Sequence, residues 1–229
     1  MSDTNRVLPL FFSLDIERLK SDLEICLNGE WRAHFNTRDY SGNWSSISLR
    51  SPSGNETDIL PVQSETGYRD TPLLEKCIYF REVLNLFECE IEAVRLLKLA
   101  PGAEIKTHRD AQTGYQYGFF RLHVPIMTNE NVWFEVDGQP LQMKESECWY
   151  ADFTLPHAAK NEGDADRIHL VIDCRRNVWT DKLFRSAGYD FNAENTSSET
   201  NAMIIEQLEG LNTPAARELI MEISGSIKG

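Results

Sequence analysis

Cations are scarce in this 229-residue chain: 23 Lys and Arg stand against 36 Asp and Glu, for a formal net charge of −13, and there are only five histidines. A field of that sign repels nucleic acid and anionic membrane surfaces, so neither is an expected partner. Long apolar runs are missing as well. The run Val7 to Phe12 is too short for a signal core or a membrane span, and no basic segment leads into it, which predicts a cytoplasmic protein. Cys26, Cys77, Cys89, Cys148 and Cys174 are odd in number and scattered. Their spacing argues against a zinc ribbon or a redox pair and suits reduced, buried thiols. Repeats of solenoid length are absent, and the nearest approach to low complexity is the polar stretch Asn192 to Asn201.

What is present is sufficient for one substantial core. The expected organisation is a single domain over 1–191 that includes N-terminal helices, then a polar connection and C-terminal helices over 192–229 that pack on it. Ile16, Leu19, Leu23 and Leu27 recur at helical spacing, with Ser13 or Asp15 to cap the start and Gly29 to stop the helix. A second amphipathic helix is predicted over Leu73 to Leu86, and two more within Met203 to Ile227, where Thr213-Pro214 opens the last. This C-terminal face also suits a homodimer contact. Strands are predicted at Trp44 to Leu49, Ile59 to Val62 and Ala93 to Leu99. Beyond these the pattern is nearly all β: Glu104 to Asp110, Phe120 to Ile126, Val132 to Val136, Leu141 to Met143, Cys148 to Phe153, His157 to Lys160 and Arg167 to Cys174. Short strands separated by Gly, Asn and Asp turns predict a mainly β fold, a double-stranded β-helix (jelly roll, cupin-like) with flanking N- and C-terminal helices. Trp133, Trp149, Phe134 and Tyr150 are expected to fill the core between its sheets.

The chemistry concentrates in Thr107-His108-Arg109-Asp110, in Pro156-His157 and in Arg167. Strand alternation sends His108 and Asp110 to one face, and His157 can complete a facial set of two imidazoles and one carboxylate. That set is the usual ligation of non-haem Fe(II), with three positions open. Singly, each residue has an ordinary reading, since His157 can cap a turn and Asp110 can be a turn residue before Gly114. Their order and strand context, with Arg167 trailing, favour the metal. A guanidinium beyond the second histidine suits an anionic organic molecule sharing that metal, so the combination predicts an oxygenase using iron, 2-oxoglutarate and O2. In Phe120 to Ile126, Arg121 and His123 share one face opposite Leu122, Val124 and Ile126; if buried, they need polar partners such as a bound carboxylate. Arg167 and His169 likewise share a face, with His169 expected in a hydrogen-bonded supporting position.

Leu99-Ala100-Pro101-Gly102, Arg121-Leu122-His123-Val124-Pro125, Glu147 to Asp152, Pro156-His157 and Arg167 to Asp173 together resemble the aspartyl/asparaginyl β-hydroxylase family of 2-oxoglutarate oxygenases, which includes bacterial proline hydroxylases. The resemblance runs from Arg95 to Asn177. It implies iron at His108 and His157, and 2-oxoglutarate held by Arg121, His123 and Arg167. It also implies hydroxylation of an amino acid or an amino-acid side chain in a peptide, of the Asp, Asn or Pro kind, with release of succinate and CO2. Some animal members lack the carboxylate ligand. This chain has Asp110, as bacterial amino-acid hydroxylases do, which argues against carrying over the animal peptide substrate.

Substrate selection is expected from the segment Arg38 to Arg69 and the loop Gln112 to Gly118, with Arg50, Trp44, Tyr115 and Tyr117 as candidate contacts. The competing reading is a metal-binding cupin-like isomerase or small-molecule binding module, because the fold alone does not decide the chemistry. An isomerase has no use for a 2-oxoglutarate clamp, so Arg121 and Arg167 favour the oxygenase.

Overall fold

Strand alternation fixes the sheet faces in the computed structural model, which describes residues 5–60 and 67–194 together with 205–209, 213, 216, 217, 219–221 and 223. In β8 (Phe119–Met127) and β13 (Arg167–Arg175), Leu122, Val124, Ile126, Ile168, Leu170 and Ile172 all turn to one side. There they meet Leu19 and Leu23 of α1 (Ile16–Leu27), Phe80 and Val83 of α3 (Ile78–Leu84) and Phe184 of α4 (Val178–Ser186). The opposite face of the same strands looks into the space between two sheets.

Those sheets are antiparallel throughout. The larger runs from β1 (Val7–Leu10) through β11 (Cys148–Ala151), β8, β13, β6 (Ile91–Leu99) and β4 (Trp44–Ser51) to β2 (Arg32–Ala33), with β5 (Arg69–Asp70) paired to β4. The smaller runs from β10 (Gln139–Pro140) through β9 (Val132–Val136), β12 (His157–Asn161) and β7 (Glu104–His108) to β3 (Tyr40–Ser41). Leu97, Leu99, Val171, Ile105, Phe134, Val136 and Ala159 form a second apolar cluster between them. This is the expected jelly roll, helices on the outer face of the large sheet and the small sheet closing the other.

Several elements depart from the sequence reading. The helix expected over Leu73 to Leu86 is two, α2 (Pro72–Lys76) and α3, broken at Cys77 with ψ 86°. Buried Asp22 of α1 accepts the Phe80 N–H at 2.8 Å, satisfying an orphan donor of the second helix from outside. Asp15 caps α1 through the N–H groups of Glu17 and Arg18. Ile59 and Leu60 are in no strand, and 61–62 lie outside the described residues. Leu141 to Met143 is not a strand either. After β10 only Leu141 N–H reaches back to Phe134, while Leu141 and Met143 sink into the inter-sheet cluster. Tyr150 packs under the helices and Trp133 is 43% exposed, so neither fills the space between the sheets. Strand β1 and helix α4 are additional; α4 is closed by a reciprocal Asn177/Thr180 capping box. Of the expected C-terminal helices, 205–209 and 219–221 are helical; 195–204 and 224–229 lie outside the described residues. Among those described, no helix is long and apolar enough to cross a membrane.

Candidate metal and cosubstrate site

His108 ends β7, and His157 opens β12 as its direct cross-strand partner. Their rings are 4.2 Å apart. Two residues past His108 the chain is pinned by Asp110 N–H donating to Phe153 O at 2.9 Å, and this turns the carboxylate back. One ligand atom from each of His108, Asp110 and His157 lies within 4.8 Å of the others.

The imidazole tautomers follow from their hydrogen bonds. Nδ1 of His108 faces Lys106 O at 2.8 Å, and Nδ1 of His157 faces Leu155 O at 3.0 Å. A carbonyl only accepts, so each Nδ1 donates and each neutral ring keeps its lone pair on Nε2. Burial pushes His157 down to about 4, which keeps it neutral. Burial alone would raise the Asp110 carboxyl, but the charge around it, that of Arg121 first, holds it below its ordinary range. Two imidazole lone pairs and a carboxylate match the facial donor set for Fe(II).

Behind Asp110 runs a line of alternating charge. Arg121 Nη1 donates to Asp110 Oδ2 at 2.6 Å, and its Nε and Nη2 donate to the two oxygens of Asp173 at 2.7 and 3.2 Å. Arg95 Nη2 donates to Asp173 Oδ2 at 2.6 Å. Register explains the grouping: Asp173 on β13 lies opposite Arg121 on β8, and Arg95 on β6 lies opposite Val171. Arg121, expected to clamp the cosubstrate, thus has three nitrogens committed to the carboxylates of this line.

Arg167 differs. It is 2% exposed, and its Nε and Nη2 have no hydrogen-bond partner among the described residues. Burial, with no carboxylate to offset it, pushes the guanidinium down to about 9. His123 Nε2 is similarly buried and unsatisfied, while its Nδ1 faces His169 Nδ1 at 3.2 Å. Burial, then Arg167, holds both rings well below their ordinary value, so one ring donates and the other accepts. A buried cation and a buried imidazole nitrogen without partners are matched by a carboxylate.

His108, Asp110, His157, Arg121, His123 and Arg167 all line one cavity of about 530 Å³. Trp44 and Tyr117 line it too; Arg50 and Tyr115 do not. Arg50 is paired with Asp70 and donates to Ile91 O. Tyr115 is fully buried, stacked on Phe184 at 3.7 Å, and its hydroxyl donates to Asp181 Oδ1 at 2.7 Å and lies 3.0 Å from Thr180 Oγ1. Sequence reasoning passed over His34, which stacks on Trp44 at 3.5 Å and which burial pushes down to about 3. It also passed over Glu92, Arg95, Asp173 and Arg175 on the cavity wall. Continuing the Arg167, His169 alternation along β13 leads to Asp173 and Arg175.

The family model for aspartyl/asparaginyl beta-hydroxylase matches residues 15–177. An L-proline cis-4-hydroxylase from Rhizobium meliloti (strain 1021) is 24% identical over 200 residues, covering 86% of this chain and 70% of that protein. Among solved structures, an oxidoreductase of the 2OG-Fe(II) oxygenase family from Burkholderia pseudomallei superposes with a TM-score of 0.52 at 12% identity, covering 75% of this chain and 85% of that one. HygX from Streptomyces hygroscopicus, solved with nickel and 2-oxoglutarate bound, gives 0.51 at 8% identity over 77% and 85% of the two chains. These two likenesses are of fold.

Proposed function

The chain belongs to the aspartyl/asparaginyl β-hydroxylase family, and on that premise we propose that it is an Fe(II)- and 2-oxoglutarate-dependent dioxygenase hydroxylating an amino acid, or an amino-acid side chain in a peptide, of the Asp, Asn or Pro kind. Bound together, Fe(II), 2-oxoglutarate and O2 supply oxidative decarboxylation to succinate and CO2, coupled to insertion of one oxygen atom into a substrate C–H bond. Positioning and exclusion of water fall to the protein.

His108 and His157 would hold the metal through Nε2, with Nδ1 of each fixed by a backbone carbonyl. Asp110 would supply the third donor, oriented by Arg121. Arg167 would take the distal carboxylate of 2-oxoglutarate, and His123, relayed to His169, would present Nε2–H to the same anion. Phe134 and Phe153, both buried, line this end of the cavity and keep it dry, which strengthens every charge contact there.

The observation that carries the reading is the unpartnered guanidinium of Arg167 in the cavity that also holds the His108, Asp110 and His157 cluster. A structural arginine this deeply buried is ordinarily paired. Similarity to a proline hydroxylase supports an amino-acid substrate. The test is incubation with Fe(II), 2-oxoglutarate, O2 and a panel of free amino acids and short peptides, following succinate and a one-oxygen mass gain. Equal yields of both products that require His108 and His157 support the proposal; neither product across the panel overturns it.

A further inference from the structure

The large sheet's inner face orders the cavity from end to end. Along β13, Arg167, Val171, Asp173 and Arg175 share that face, and Asp173 faces the metal cluster through Arg121 and Asp110. Arg167 therefore lies on one side of the cluster. Arg175 lies on the other, two residues and roughly 7 Å of strand beyond Asp173. If the cosubstrate occupies the Arg167 side, the substrate is left with the Arg175 side.

Charge accounting on that side singles out one pair. Arg95 and Arg121 are committed to Asp173 and Asp110, and Arg109, also on the cavity wall, donates Nη1 to the backbone oxygen of Thr154 and has no carboxylate partner among the described residues. Arg175 spends only Nε, on Oε1 of Glu92, and its two terminal nitrogens meet no acceptor among the described residues. Its side chain is 34% exposed, that of Glu92 only 8%, so the pair has a buried acidic end and an open basic end. Tyr68 donates its hydroxyl to Glu92 Oε2 at 3.3 Å, and the Phe119 ring lies 5.5 Å from the Arg175 guanidinium. All four residues line the cavity.

We propose that Arg175 and Glu92 are the recognition pair for the α-carboxylate and α-ammonium of a free amino acid, so that the substrate is the free zwitterion and not a residue within a peptide. The proposal rests on the hydroxylase reading above and narrows its substrate class. A planar guanidinium with two terminal nitrogens in hand takes a carboxylate bidentately. The Glu92 carboxylate, held by Arg175 and Tyr68, accepts the ammonium with its remaining lone pairs. The zwitterion adds one charge of each sign to an existing pair, leaving no buried charge uncompensated. Peptide amides are neutral at both positions and can offer at most an uncharged hydrogen bond at each, without the charge pairing.

The test is binding of L-proline, L-prolinamide and N-acetyl-L-proline, with free and peptide-borne aspartate and asparagine alongside. It uses anaerobic protein loaded with Fe(II) and 2-oxoglutarate and is read by calorimetry and by hydroxylated product under O2. Wild type should bind at least one free amino acid, and blocking its carboxylate or amine should weaken binding about ten- to a hundredfold. In Arg175→Ala the penalty for amidation should vanish while 2-oxoglutarate affinity stays unchanged, and Arg175→Lys should restore part of it. Glu92→Gln should erase the penalty for N-acetylation in the same way. Preference for peptides over every free amino acid would overturn this proposal and leave the hydroxylase reading standing. So would loss of the amide penalty in Arg109→Ala in place of Arg175→Ala. No succinate and no hydroxylation from either class would overturn both.

Discussion

Arg121 donates from Nη1 to Oδ2 of Asp110 at 2.6 Å while its other edge grips both oxygens of Asp173. The third donor of the cluster is thus turned in by its own backbone, pinned at Phe153 O, and steadied by a charge pair anchored in the large sheet. Replacing Arg121 with Leu should lower Fe(II) affinity about 10–100-fold, the usual cost of losing a group that orients a metal ligand. Competition against a metal-sensitive chelator reads the change. Unaltered affinity would mean that Asp110 needs no support from the sheet.

Tyr115 belongs to the core under α4, against Phe184, Tyr189 and Phe120. Tyr115→Ala should cost about 3–5 kcal/mol of stability, measured by urea unfolding. Substrate preference, scored as relative kcat/KM across amino acids, should not shift in whatever fraction folds. A variant of wild-type stability with a new preference would return Tyr115 to the site.

The contrast between Tyr115 and Tyr117 shows where the sequence was legible. Alternation in β8 and β13 was readable because one face is aliphatic, so Arg121, His123 and Arg167 could be assigned to the other. The clustering of His108, Asp110 and His157 was readable because the two histidines fall at strand ends in a recognisable order. The partner of each arginine was not, since Asp173 meets Arg121 and Arg95 only through strand pairing across the sheet. Tyr115 and Tyr117 sit in one short 3-10 turn, and a loop pattern does not tell which ring turns inward. The break at Cys77 depends on Asp22, far away in the chain. His34 reaches the cavity by stacking on Trp44, which no local periodicity announces.

Acid should weaken the metal-free fold early. Burial holds His157 to about 4 and His123 and His169 well below their usual 6.5, so below pH 6.5 the unfolded chain binds protons that the folded one refuses. The contribution of these histidines is present in full above about pH 6.5 and is lost progressively as pH falls below it, for His157 down to about 4, at up to ~1.4 kcal/mol per pH unit for each. Asp22 and Asp152, whose carboxyls burial raises, offset part of this at the acidic end. Urea midpoints should hold between about pH 7.5 and about pH 6.5 and fall from there to about pH 5. A flat profile would show that these rings are hydrated in solution.

On the proposed function, Arg167, a buried cation of the cavity with no carboxylate partner among the described residues, is kept for an anionic cosubstrate beside the metal. Calorimetric titration of 2-oxoglutarate into anaerobic Fe(II)-loaded protein, wild type against Arg167→Met, tests it most directly. Losing one side of a buried charge pair costs about 3–5 kcal/mol, so the dissociation constant should rise by roughly two to four orders of magnitude while Fe(II) affinity holds. Equal 2-oxoglutarate affinity in the two proteins would contradict the account.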